Sequence, residues 1–440
     1  MKVRIRFAAF LCFATTALMA QKVDYEEYDL ANGMHVILHQ DNSAPVVTTS
    51  VMYHIGAKDE DPSKTGFAHF FEHLLFEGTK NIERGEWFKI VSANGGKNNA
   101  NTTQDRTYYY EVFPSNNLEL GLWLESERLM HPVINQVGVD TQKEVVQEER
   151  RMRYDNSPYG RWREQIGIHL FKKHPYKWQT IGSLEHLATA SLEDFQDFNK
   201  TYYIPNNAVL VVAGDINPAT TKKMIQDYFG PIPRGAEIKR KHIEEDPITQ
   251  TIKAEFKDSN IQIPAIFAGY RTPKNTDRDA YILDMISTYL SDGKSSKLYK
   301  KLVDVEKKAL QVFAFNISQE DYGTYIIGAL PIGEHTLPEL LTSIDEEILK
   351  IQNELISEKD YQKIQNKFEN QFVSSNSSIS GIANSLARNY MLYDDTSLIN
   401  NEIEIYRSIT REDIQAAAKK YLNKSQRVEL EYLPDDQTGK

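Results

Sequence analysis

Between residues 229 and 250 the apolar periodicity of the chain breaks off, and this break constrains the fold more than any other feature. Gly230-Pro231-Ile232-Pro233-Arg234-Gly235 is followed by opposed charge runs, Lys239-Arg240-Lys241 and Glu244-Glu245-Asp246, a composition suited to a solvated connection. On either side the order of elements is similar. Residues 28–39 alternate apolar and polar around Asn32-Gly33, as a hairpin does, residues 45–54 form a β-branched run, and helical patterns over 67–76, 86–93, 118–130, 141–153 and 192–199 precede a buried strand at 208–213. In the second half strands again precede helices, and Tyr421-Leu422 leading into 428–432 echoes Tyr202-Tyr203-Ile204-Pro205 leading into 209–212. The pattern predicts an α+β protein of two related halves, 21–235 and 236–440, each a mostly antiparallel sheet packed against helices.

Residues 1–20 stand apart. Lys2, Arg4 and Arg6 precede an apolar or small run over 7–19 that is too short to span the roughly 30 Å of a bilayer core, which predicts a secretory signal peptide cleaved after Ala20, or after Ala17. An N-terminal membrane anchor is the competing reading. Cleavage would remove Cys12, the single cysteine, so the exported chain has neither disulfide nor thiolate chemistry. No later stretch reaches 18 apolar residues, so a soluble protein of the bacterial periplasm with no stable membrane span is expected. The 51 basic and 62 acidic residues leave a formal charge of -11, which repels a phosphate backbone and argues against nucleic acid as partner.

His69-Phe70-Phe71-Glu72-His73 carries the chemistry. On a helix, residues i, i+3 and i+4 share a face, so two imidazoles and a carboxylate point the same way. Two histidines four apart can give two nitrogens to a tetrahedral zinc, and a carboxylate beside them can deprotonate a water that the metal acidifies. The order His-x-x-Glu-His is the inverse of the usual zincin motif. Two structural histidines beside a solvated Glu72 would give the same spacing, and spacing alone does not pick a third ligand from 62 acids.

The longer stretch Gly66-Phe67-Ala68-His69-Phe70-Phe71-Glu72-His73-Leu74-Leu75-Phe76-Glu77-Gly78-Thr79 resembles the pitrilysin/insulinase family of zinc peptidases, which includes the two-subunit mitochondrial processing peptidases. Gly95-Gly96-Lys97-Asn98-Asn99-Ala100-Asn101, His174-Pro175-Tyr176, Ile181-Gly182, Tyr203-Ile204-Pro205-Asn206-Asn207-Ala208 and Gly214-Asp215 continue the likeness. The resemblance implies a zinc peptidase acting on peptides or small polypeptides. It implies Glu149, in Val145-Val146-Gln147-Glu148-Glu149 and 76 positions beyond His73, as third zinc ligand, with Glu72 as catalytic base. It also implies that Asn99 and Ala100 lie on an edge strand that holds substrate by main-chain pairing. Where relatives carry an acid seven residues before the ligand, this chain has Gln142. Glu77, Asp105 and Tyr109 border the same stretch without an assigned role.

The second half departs from the family. Relatives that complete their site there carry an Arg and, seven residues on, a Tyr; the corresponding stretch here, residues 295–310, has Val303 and Leu310, which donate no hydrogen bond to an oxyanion. The departure implies the catalytic subunit of a hetero-oligomer whose homologous partner supplies the Arg and Tyr. A homodimer with other donors is the plainer alternative, and a non-catalytic structural or peptide-binding subunit of a processing-peptidase-like complex is the second class of function.

Overall fold

The computed structural model describes residues 22–435; the expected signal peptide at 1–20, with Cys12, lies outside the described residues. The first sheet is built from β1 (Glu26–Asp29), β2 (His35–Gln40), β3 (Val46–Tyr53), β4 (Lys97–Thr102), β5 (Thr107–Pro114) and β6 (Ala208–Gly214), in spatial order β1-β2-β6-β3-β5-β4. The second takes β7 (Ile252–Asp258), β8 (Ala265–Thr272), β9 (Ala309–Ile317), β10 (Gly323–Pro331) and β11 (Arg427–Pro434), in order β7-β11-β8-β10-β9. Each sheet has one parallel pairing, β2 with β6 and β7 with β11, and is otherwise antiparallel. Superposing the parallel pairs maps β2-β6-β3-β5-β4 onto β7-β11-β8-β10-β9 in chain order as well as in space, so the chain holds two copies of one topology with β4 and β9 as corresponding edges.

Both faces of each sheet are buried, which is why β6 reads as a continuous apolar run instead of an alternating one. On one face of the first sheet the helix Leu118–Met130 lies so near β3 that a Cβ on Gly121 would stand 2.6 Å from Thr49 Oγ1. The other face is covered by a helix from the far half of the chain. Ile382, Ala383, Leu386 and Ala387 of the helix Ile379–Tyr393 pack on Ile37, Met52, Val209 and Val211. The first half reciprocates: Ile166 and Leu170 of the helix Trp162–Leu170 pack on Phe267, Val428 and Leu430, and Trp162 stacks on Phe267 at 5.1 Å between ring centres. The halves therefore exchange a helix each.

An ionic cluster closes the contact between them. The turn before β10 offers Glu320 and Asp321 to the first half, where His54 Nε2 lies 2.8 Å from Glu320, His174 Nε2 lies 3.2 Å from Asp321, and Lys58 Nζ reaches Glu320 at 2.7 Å, Asp321 at 3.1 Å and the buried Asp105 at 3.3 Å. Burial pulls the Lys58 ammonium down, but Asp105, Glu320 and Asp321 outweigh it and hold it above the ordinary lysine range. Burial likewise pushes both interface carboxylates up, yet His54 and Lys58 hold Glu320 at about 2 and His174 and Lys58 hold Asp321 at about 2.

Two outcomes follow for stability. Leu386→Ala, at a fully buried site in the exchanged helix, is expected to cost about 2–5 kcal/mol in urea titration. The folded pKa values of Glu320 and Asp321 lie below their ordinary 4.5 and 3.8, so their contribution is present above about pH 5 and is lost as pH falls toward the folded values. The double substitution Glu320→Gln, Asp321→Asn should lower the urea midpoint near neutrality and flatten its fall between about pH 5 and pH 2.

Candidate metal centre

The helix that carries the motif is only Phe67–Leu74, too short to be stable from its own hydrogen bonds, so its surroundings must fix it. Its N-terminus has no side-chain cap from Gly66; instead Glu60 accepts from Gly66 N and Ala68 N, each at 2.8 Å. Gly66 sits at φ 99°, where a Cβ would also stand 2.8 Å from Ile181 O, so only glycine suits this entry. Phe67, Phe70 and Phe71 form the buried face, stacking on Phe195 and Phe198, and Tyr109 Oη donates to Phe71 O at 2.9 Å. At the exit, Arg128 Nη1 donates to Leu75 O at 3.1 Å. With one face committed to this core, His69, Glu72 and His73 share the other.

Glu149 arrives from the helix Gln136–Arg150. The sequence pattern predicts a helix from 141; it starts earlier because Asn135 accepts from Gly138 N at 2.9 Å and caps the first turn. Past Arg150 it opens into a wider π turn over Arg151–Asp155. Glu149 Oε2 lies 3.2 Å from His73 Nε2 and 3.6 Å from His69 Nε2, while its Oε1 takes Arg153 Nη1 at 2.8 Å. Glu148 faces away, paired with Arg151 at 3.1 Å.

One donor atom each from His69, His73 and Glu149 lies within 4.8 Å of the others, and among the described residues no other trio of His, Cys, Asp or Glu does so. Tetrahedral bonds of about 2.0–2.1 Å place ligand atoms about 3.3 Å apart, and the observed 3.2 and 3.6 Å bracket that spacing. Protonation also suits ligation. Burial, reinforced by His73, holds the His69 imidazole at about 4 and so neutral, while the His73 hydrogen bond keeps the Glu149 carboxyl below the usual range. A zinc held by these three residues would keep one position for water or substrate. Glu72, beside them, accepts from Thr102 Oγ1 of β4 at 2.7 Å; burial raises it above the ordinary glutamate range, against the pull of that hydrogen bond and of His73.

The remaining residues singled out in the sequence fall in different places. Asn99 and Ala100 lie on β4, the edge strand of the first sheet, opposite Tyr110 and Tyr109. Gln142 Nε2 donates to Glu77 Oε1 at 2.6 Å, and Glu77 also pairs with Arg84. Asp105 belongs to the cluster between the halves, and Tyr109 buttresses the motif helix from beneath. Val303 is half-buried against the second core, and Leu310 is 53% exposed on β9. Arg128, Thr102 and Glu60, which hold the site in shape, carry no sequence signal beyond their charge or hydroxyl.

Residues 35–182 match the family described as insulinase (peptidase family M16), and residues 189–368 match the peptidase M16 inactive domain. The chain belongs to the insulinase family. Among family members, the zinc protease PqqE of Helicobacter pylori is 28% identical over 408 residues, spanning 91% of each chain. The crystal structure of a protease from Helicobacter pylori has a TM-score of 0.89 to this fold at 28% identity, covering 94% of this chain and 100% of that one. The periplasmic protease PqqL from Escherichia coli shares the fold with a TM-score of 0.77 at 17% identity, covering 94% of this chain but 48% of that one.

Arg128 anchors this insulinase-family helix through a buried ion pair, and Arg128→Met would remove the cationic partner of Glu125 in the core. The expected loss is about 3–5 kcal/mol in urea titration.

Proposed function

We propose that this insulinase-family chain is a zinc metalloendopeptidase in which His69, His73 and Glu149 hold the metal and Glu72 is the general base. In this reading β4 takes a peptide or small polypeptide as an added strand at Asn99 and Ala100. The observation that carries the proposal is the convergence of His69, His73 and Glu149 from two helices, with the Glu149 carboxylate 3.2 and 3.6 Å from the two imidazoles and a further carboxylate, Glu72, on the motif helix beside them. Several curated relatives are named zinc proteases.

Zinc, when bound, supplies Lewis acidity that lowers the pKa of a coordinated water to about 7 and polarises a carbonyl. The chain's own residues do the rest. Glu72 accepts the proton of the attacking water on its carboxylate and passes it to the leaving amine, and its raised pKa suits both transfers. Thr102 holds that carboxylate from the strand that receives the substrate, so substrate and base are positioned by one element. The free edge of β4 offers backbone donors and acceptors at regular spacing, which binds extended peptide with little regard to sequence.

Neither Val303 nor Leu310 offers an oxyanion donor, and a homologous partner chain supplying an Arg and a Tyr completes the site in this reading. PqqL supports it by carrying about twice this chain's length in one polypeptide. The zinc-bearing portion is residues 21–235 and its homologous companion 236–440. Export to a bacterial periplasm is supported by the pattern of residues 1–20 and by the likeness to a protein described as a periplasmic protease; among the described residues no helix is long and apolar enough to cross a membrane.

The test is cleavage of a quenched-peptide library by the zinc-loaded chain from Gln21 onward. Glu72→Gln is expected to keep one zinc per chain and lose about 10²–10⁴-fold in rate, whereas Glu149→Gln should release zinc at lower chelator concentration. Undiminished cleavage by Glu72→Gln would refute the assignment. Turnover by the chain alone would remove the need for a partner's Arg and Tyr.

A further inference from the structure

The pleat of β4 divides its side chains between two different environments. Thr102 reaches Glu72 on the helix side, and Ala100 pairs with Tyr109, whose hydroxyl meets the motif helix. Asn98, Ala100 and Thr102 therefore face the motif helix, and Lys97, Asn99 and Asn101 face the opposite side; of the β5 residues on that side, Tyr108 is buried in the core under the exchanged helix, and Tyr110, which stacks on it at 5.5 Å, is half-buried. Arg106 joins this second wall. Its Nη1 donates to Asn101 O at 2.9 Å and it also bonds Asn101 Oδ1, its guanidinium lies 5.8 Å from the centre of the Tyr108 ring, and among the described residues its Nε and Nη2 bond no protein group. Lys97 is exposed and, among the described residues, its ammonium forms no ion pair or hydrogen bond. Glu72, on the other face, and Asp105, which is buried against Lys58, lie within electrostatic range of Arg106, as does Arg388 from the exchanged helix.

We infer that this wall selects acidic side chains at two substrate positions four residues apart. The inference rests on the reading that β4 takes substrate as an added strand. In a paired strand, the residue opposite Asn101 shares the face of Asn101 and lies beside the Arg106 guanidinium, and the residue opposite Lys97 lies beside the Lys97 ammonium. Because Asn101 and Lys97 are four positions apart, the favoured pattern is acid-x-x-x-acid whichever way the peptide runs. The net negative charge of the chain would suggest basic substrates, and the local wall reverses that expectation.

Binding tests this apart from hydrolysis. Fluorescein-labelled peptides carrying Glu, Gln or Lys at one position, at the other or at both are titrated by anisotropy into the zinc-loaded Glu72→Gln chain, with and without the added substitution Lys97→Glu. The Glu peptide is expected to bind about two- to five-fold more tightly than the Gln peptide for each acidic position, with the advantage shrinking in high salt. Lys97→Glu should reverse the preference at one position and leave the other unchanged. Equal affinities, tighter binding of the Lys peptide, indifference to Lys97→Glu or no binding of any peptide would each overturn the inference. Hydrolysis by the native chain reports separately on the zinc peptidase reading, so the failure of one is distinguishable from the failure of the other.

Discussion

A single buried guanidinium holds the geometry of the candidate metal centre in place. Arg128 is 1% exposed, lies within 4.4 Å of the ring centres of Phe76, Trp87 and Tyr109, and gives its protons to Glu125, Glu111 and the Leu75 carbonyl. Burial and then the neighbouring Glu125 push the Glu111 carboxyl well above its usual range, against the pull of Arg128. Such a group is costly to bury and costlier to break. It ties β5, the helix Leu118–Met130 and the end of the motif helix to one point, and an eight-residue helix gains a fixed exit that its own hydrogen bonds could not give it.

From that point the site is assembled by elements with different jobs. The aromatic face of Phe67, Phe70 and Phe71 sets the rotation of the motif helix, Glu60 sets where it begins, and the capped helix from Gln136 brings Glu149 opposite the two imidazoles. Edge strand β4 contributes Thr102, whose hydroxyl donates to Glu72, and leaves its outer backbone edge unpaired within the sheet. The three ligand candidates therefore meet because a hydrophobic core, a buried ion pair and a helix cap agree on one geometry.

The fold was legible in the sequence where local chemistry dominates. The hairpin at Asn32-Gly33, the β-branched run of β3 and the helix at 118–130 all stand where apolar period and turn residues put them. The spacing of His69, Glu72 and His73 gave their shared face, but Glu149 was reachable only through the family resemblance, since one acid among 62 has no local mark. Two things were illegible in physical terms. β4 reads Lys-Asn-Asn-Ala-Asn-Thr and buries no apolar face, so no alternation announces it as a strand. The exchanged helices show an apolar stripe, which says that a face is buried and not which sheet buries it; likewise His54, a lone histidine by sequence, gains its partner 266 residues away.

The helix exchange also sets the order in which the chain can become a protein. During synthesis β1 to β6 are complete long before the helix Ile379–Tyr393 exists, so Ile37, Met52, Val209 and Val211 face water or some holding factor until that helix arrives. The sheet bearing the metal site thus waits for the last quarter of the polypeptide. A chain that ends before Ile379 leaves that face of the first sheet without its cover, so the second half of the sequence is needed to finish the first.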